Sequence, residues 1–80
     1  MARTHEVVTQ GVIETIADFF GLQESMVKPE STLQSLDMDS MDRLEVLLAL
    51  EEKFELQITD EEGLKLTSVQ GMIDLIVSKN

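Results

Sequence analysis

Few side chains in this 80-residue sequence are equipped for chemistry, and most of them can be set aside on position alone. The single histidine, His5, lies beside the N-terminus, where a solvated side chain is the ordinary outcome. A serine nucleophile needs a base within reach, and the chain holds no second histidine to serve as one. A Ser-His-Asp enzyme is therefore not expected. With no cysteine there are no disulfides, no thiolate metal ligands and no cysteine nucleophile. Carboxylates are plentiful: 16 Asp and Glu stand against 6 Lys and Arg. Asp37-x-Asp39 has the opening spacing of an EF-hand loop, which requires glycine at its sixth position and glutamate at its twelfth. Counted from Asp37, those positions hold Asp42 and Leu48, so the motif fails. The pairs Glu51-Glu52 and Glu61-Glu62 have no neighbour that would set one apart as an acid and the other as a base. They read as solvated faces, and no metal site is expected.

Ser40 remains. A Ser or Asp at the head of a helix is ordinarily a cap. A helix N-terminus is also a favourable seat for a phosphate ester, because its free N–H groups and dipole face the anion. Asp39 beside it would repel a free anion, so a phosphate there must be installed covalently.

The elements that would position Ser40 follow from periodicity. Residues 4–20 read as a first helix, with Val8, Val12, Ile16 and Phe19 on one stripe, Thr4 as its cap and Gly21 as its stop. Phe19 and Phe20 are two of the chain's three aromatic residues, so this helix is expected to anchor the core. Residues 21–39, with the only proline, read as a long loop pinned by Val27, Leu33 and Leu36. Residues 40–54 read as a second helix capped by Asp39 or Ser40. A short helical segment opens at Asp60-Glu61-Glu62 and runs toward Leu66. Thr67 or Ser68 caps a last helix, in which Val69, Met72, Ile73, Ile76 and Val77 repeat with helical spacing. No segment alternates as a strand. The expected fold is all-α, a four-helix bundle of three main helices and one short one with a long first loop, forming a single domain over residues 1–80.

The second helix has two apolar stripes. At about 100° per residue from Met41, the residues Val46, Leu47, Leu50 and Phe54 fall between roughly 140° and 240°. Met41, Leu44 and Leu48 fall at roughly 0°, 300° and 340°, nearly opposite. A helix apolar all round would be central and buried. In so short a chain the second stripe is better read as exposed, and an exposed apolar stripe rimmed by carboxylates marks a docking surface. Its partner should carry an apolar groove rimmed by Lys and Arg. Charge agrees: between Asp37 and Glu62, ten acids against two bases leave −8 of the chain's −10. Nucleic acid, which needs the opposite sign, is excluded as a partner. No run is long and apolar enough for a membrane span, and Met1–Val8 lacks the apolar stretch of a signal peptide. A cytoplasmic monomer is expected, with no membrane insertion.

Leu36-Asp37-Met38-Asp39-Ser40-Met41-Asp42, followed by Leu44-Glu45 and Leu50-Glu51-Glu52-Lys53-Phe54, resembles the acyl carrier proteins of dissociated (type II) synthases. That family shows L-G-x-D-S-L-D at the start of its second helix and then A-L-E-E-x-F. The likeness continues through Ile58-Thr59-Asp60-Glu61-Glu62 and Thr67-Ser68-Val69-Gln70, and so involves nearly the whole chain. The resemblance implies that Ser40, preceded by Asp39, is the attachment point for 4′-phosphopantetheine, installed from coenzyme A by a phosphopantetheinyl transferase. The reactive thiol would belong to the prosthetic group, which suits a chain without cysteine. The protein would carry acyl intermediates for fatty-acid or related acyl-chain biosynthesis and would not be an enzyme. The family's recognition helix maps onto Met41, Leu44, Glu45, Leu48 and Glu52. Its partners there would be synthase and transferase enzymes with basic docking patches. The acyl chain would be lined by Val46, Leu50, Phe54, Ile58, Leu66, Met72 and Ile76.

The sequence departs from the family pattern at Asp37 for glycine, Met41 for leucine and Thr59 for proline, and Arg43 places a cation near Ser40. A carrier of aminoacyl or D-alanyl groups and a polyketide carrier dedicated to one pathway are the nearest alternatives; the G-G-x-S signature of peptidyl carriers is absent. A cofactor-free acidic helical adaptor is the alternative from another class.

Eight net negative charges within 26 residues repel one another at low salt. Added NaCl, or millimolar Mg²⁺ or Ca²⁺, should therefore raise the melting temperature. A melting temperature indifferent to all three would mean that the repulsion is already relieved within the fold.

Overall fold

Each helix begins where the sequence supplies an acceptor for its first free N–H groups. The computed structural model describes residues 4–79; the signal-peptide reading rests in part on residues 1–3, which lie outside them. Helix α1 spans His5–Phe20, with Thr4 Oγ1 accepting the Val7 N–H at 3.1 Å. It stops at Gly21, which turns left-handed (φ 67°) and donates its N–H to the Ala17 and Asp18 carbonyls. Helix α2 spans Ser40–Phe54 and stops at Glu55, also left-handed, while Leu56 N–H closes onto Glu51 O at 3.1 Å. Helix α3 is the single turn and a half Asp60–Leu64, and it ends before Leu66. Thr59 caps it: Thr59 Oγ1 accepts the Glu62 N–H at 3.2 Å, and Glu62 Oε1 accepts the Thr59 N–H at 2.9 Å. Helix α4 spans Val69–Lys79, with Ser68 Oγ accepting the Gly71 N–H at 3.0 Å. Of the two cap candidates for α4, Ser68 fills the role.

Glu62 has a second partner, Lys79 Nζ at 3.0 Å, which ties α3 to the end of α4. The Thr59 N–H and then the Lys79 ammonium hold its carboxyl below the usual value of 4.5. The sign follows from that direction. This contribution to stability is present above the unfolded-state value and is lost as pH falls through the lower folded one. Glu61-Glu62 is thus not simply a solvated pair.

Helix α1 packs against both α2 and α4, whereas α3 packs only against α2. The core is Val8, Val12 and Ile16 from α1, Val46, Leu47, Leu50 and Phe54 from α2, and Val69, Met72, Ile73 and Ile76 from α4. Helix α1 thus anchors the core through Val8, Val12 and Ile16, but Phe19, expected on the same stripe, is not part of it. The buried face of α1 runs from Ile16 to Phe20, four residues on, so Phe19 is turned outward and Phe20 is half-buried. The two rings pack edge to face, with centroids 4.9 Å apart. The aromatic side chain that enters the core is Phe54.

The loop 21–39 is packed, as expected, with Val27 and Leu33 buried, Leu36 half-buried and Met38 joining them. A short 3-10 turn, Glu24–Met26, interrupts it. Three backbone hydrogen bonds clasp it to the head of α4: Leu33 N–H to Thr67 O (3.0 Å), Val69 N–H to Ser31 O (3.0 Å) and Gln70 N–H to Pro29 O (2.9 Å). The last two satisfy N–H groups that a helix start leaves free. Among the described residues the only β pairing is one antiparallel bridge, Thr32 to Ser68.

The two stripes of α2 separate as the wheel requires. Val46 and Leu50 are fully buried, whereas Met41, Leu44 and Leu48 are 64%, 48% and 56% exposed. Leu50→Ala should therefore lower stability by about 2–5 kcal/mol, a large part of what a small domain has. Leu44→Ala should stay within about 0.5 kcal/mol. Equal losses in thermal melts of the two variants would contradict this division.

Candidate functional site

The approach to Ser40 is a turn that the loop folds beneath it. Asp37 N–H reaches Gln34 O at 3.0 Å and Met38 N–H reaches Leu33 O at 2.9 Å. This closure puts Asp37 in the left-handed region (φ 55°), where a side chain with a Cβ is disfavoured. Met38 then points into the core and Asp39 returns to extended backbone as the cap of α2. Asp39 Oδ1 accepts the Asp42 N–H at 2.8 Å, and Asp42 Oδ2 accepts the Asp39 N–H at 3.3 Å. Of the two cap candidates for α2, the role falls to Asp39.

Ser40 is consequently the first helical residue and has no capping duty. It is exposed, and its hydroxyl has no hydrogen-bond partner among the described residues. Two grooves leave from it. One, of about 370 Å³, runs along the loop past Thr32, Leu33, Gln34, Met38, Leu66 and Thr67. The other, of about 460 Å³, runs between α2 and α3 past Leu44, Leu47, Leu48, Ile58, Gly63 and Leu64. Gly63 makes the second groove what it is. A Cβ there would come within 2.8 Å of Leu47 Cδ1, so glycine lets α3 lie close on α2. Arg43 lines both grooves.

The exposed apolar stripe of Met41, Leu44 and Leu48 is extended by Leu64 of α3, itself 68% exposed. Glu45 and Glu52 are exposed on α2 as well. Glu51 is different: it is half-buried, and its carboxylate accepts the Ile58 N–H at 3.2 Å, holding the α2–α3 connection. It belongs to the scaffold and not to a solvated pair. Of the seven residues that the family resemblance assigns to an acyl lining, Ile58 lies in the α2–α3 groove and Leu66 in the loop groove. Phe54 borders a third groove of about 450 Å³ against α1. Val46, Leu50, Met72 and Ile76 line none of these three grooves and are packed within the core.

Sequence reasoning did not anticipate the position of Arg43 between two grooves, nor Leu64, which has no apolar partner at helical spacing to announce it. Among the described residues no group of three or more His, Asp or Glu side chains is placed to hold a metal ion. No helix of the described residues is long and apolar enough to cross a membrane.

The turn at Asp37 can be tested directly. Asp37→Gly should raise stability by up to about 1 kcal/mol, because glycine adopts the left-handed conformation without the Cβ clash. Asp37→Val should lower it by more, since a β-branched residue is least suited to that region. Thermal melts that leave the valine variant as stable as wild type would mean that the turn is not held in this conformation.

These features correspond to those of known proteins. Residues 10–76 match the model of a family described as the phosphopantetheine attachment site. The solved structure of an acyl carrier protein from Enterococcus faecalis, described for its high thermal stability, aligns with a TM-score of 0.79 at 32% identity, over 98% of this chain and 100% of that one. With a family match over most of its length and the same fold, the chain belongs to the acyl carrier proteins, which hold a covalent 4′-phosphopantetheine.

Proposed function

We propose that Ser40 is the attachment point, and that the chain presents acyl intermediates of fatty-acid or related acyl-chain biosynthesis to a series of enzymes. The observation that carries this reading is the exposed, unpartnered hydroxyl of Ser40 at the junction of two grooves. Ser25 is likewise exposed and without a hydroxyl partner among the described residues, but it sits in the 3-10 turn and lines none of the three grooves; the other four serines are already employed. Ser31 Oγ accepts the Lys28 N–H, Ser35 Oγ donates to Thr32 O, Ser68 caps α4 and Ser78 Oγ donates to Leu75 O. In the transfer, Ser40 Oγ forms a new bond to the phosphorus of coenzyme A that bears the pantetheine arm. The pyrophosphate bond breaks, adenosine 3′,5′-bisphosphate leaves, and the hydroxyl proton passes to a base of the transferase. Once bound, the group supplies a terminal thiol that holds acyl chains as thioesters.

The rest of the site serves presentation. Met41, Leu44 and Leu48 offer an apolar contact for a transferase or synthase, and Glu45 and Glu52 offer charge for its basic residues. Such rim charges steer encounter more than they hold a complex. The α2–α3 groove starts at Ser40 and leads past Leu47 and Ile58, giving an acyl chain an apolar path toward the core. Entry as far as Val46 and Leu50 requires the helices to part, because no space is open there.

Incubation with coenzyme A, Mg²⁺ and a promiscuous phosphopantetheinyl transferase should add the mass of one phosphopantetheinyl group to wild type and nothing to Ser40→Ala. Asp39 keeps the cap in that variant, so its stability should stay within about 0.5 kcal/mol of wild type. Leu44→Ala and Glu45→Lys should load more slowly. Mass gained by the Ser40→Ala chain would overturn the assignment.

A further inference from the structure

Arg43 is a cation without an ion-pair partner among the described residues, in the most acidic stretch of the chain. The other base there, Lys53, is paired with Glu14 at 3.4 Å. Among the described residues no carboxylate lies within ion-pair distance of Arg43. The cause is local. Its helical neighbours three and four residues back are Ser40 and Asp39, and those three and four ahead are Val46 and Leu47, which are buried. The carboxylates one and four residues before it, Asp42 and Asp39, are turned onto each other's backbone N–H groups by the capping box. Arg43, half-buried as a residue, is thus left with Ser40 as the one neighbour at helical spacing that is free to carry a new group.

Arg43 and Ser40 also line both grooves. A group attached to Ser40 Oγ starts beside Arg43 whichever groove it follows. From this arrangement we infer that Arg43 is the intramolecular partner of the phosphodiester on Ser40, an inference that rests on Ser40 being the attachment point. The guanidinium offers paired N–H donors in a fixed fork that matches phosphate oxygens, a contact lysine makes only as a point charge. The anion added by loading is then neutralised within the chain, and the first atoms of the arm are held where the grooves meet. An incoming basic enzyme meets Arg43 already engaged instead of a bare cation in its docking face.

The test uses wild type, Arg43→Gln and Arg43→Lys, each loaded from coenzyme A and checked by intact mass. Melting temperatures of apo and loaded forms are compared at low salt and at about 0.5 M NaCl. The loaded-minus-apo shift should be lower in Arg43→Gln than in wild type by about 1–5 °C at low salt. Arg43→Lys should fall between them, and the differences should shrink at high salt. In wild type the Arg43 Nε–H resonance should move on loading. Equal shifts in all three proteins, with an unmoved Arg43 resonance in fully loaded wild type, would overturn the Arg43 pairing while leaving the attachment reading intact. Failure of wild type to load at Ser40 would overturn both.

Discussion

The reciprocal cap between Asp39 and Asp42 decides where α2 begins, and the geometry of the site follows from that start. With Asp39 supplying the acceptor, Ser40 enters the helix with its hydroxyl unused. Had Ser40 been the cap, its oxygen would be bound to the first turn and the helix would begin one residue later. The same Asp39–Asp42 cap occupies the carboxylates one and four residues before Arg43, so one interaction frees the hydroxyl and the guanidinium together.

The cap depends in turn on the loop before it. A loop of this length could sample many conformations, and a mobile one would not present Asp39 in a fixed orientation. Two kinds of restraint prevent this. Val27, Leu33 and Met38 are buried among the helices, and the Ser31 and Pro29 carbonyls take the first N–H groups of α4. The loop therefore caps α4 while α4 holds the loop, which explains how so few core residues fix a site at the far end of a long connection. Asp37 carries the strain of closing this arrangement, at the residue where the chain turns back toward α2.

Much of this was legible in the sequence, for reasons that can be named. The helical spacing of Val69, Met72, Ile73 and Ile76 predicts both the last helix and its buried face, because a long amphipathic repeat allows few alternatives. The angular separation of Leu50 from Leu44 predicts burial and exposure on α2 from geometry alone. Phe19 misled because a stripe counted from Val8 does not say which of two adjacent aromatics the final turn will bury. Ser40 and Asp39 were equal candidates for the cap, since both residue types accept the same N–H and only backbone conformation separates them. The role of Glu51 was hidden for a different reason. Its partner is the backbone of Ile58, seven residues on, and a bond between a side chain and a distant main-chain group leaves no trace in residue type. The meeting of two grooves at Arg43 was likewise invisible, because it depends on where α3 and the loop pack and not on any residue near Arg43.

The distribution of acidity fits this division between scaffold and surface. Carboxylates that hold the fold together are bound to N–H groups or lysines: Asp39 and Asp42 at α2, Glu51 at the α2–α3 connection, Glu62 at α3 and Lys79, and Glu14 at Lys53. Glu45 and Glu52, which accompany the exposed stripe, make no ion pair among the described residues. Of these structural acids Glu14 and Glu62 face a lysine, whereas Asp39, Asp42 and Glu51 keep their charge and are held by N–H groups alone, so they add to the field of Glu45 and Glu52. That field is centred on the helix that bears Ser40, and it falls off within about a Debye length of the surface. Attraction of a basic enzyme is thereby directed to the face where its chemistry must occur, without the stabilising carboxylates having to give up their partners when it docks.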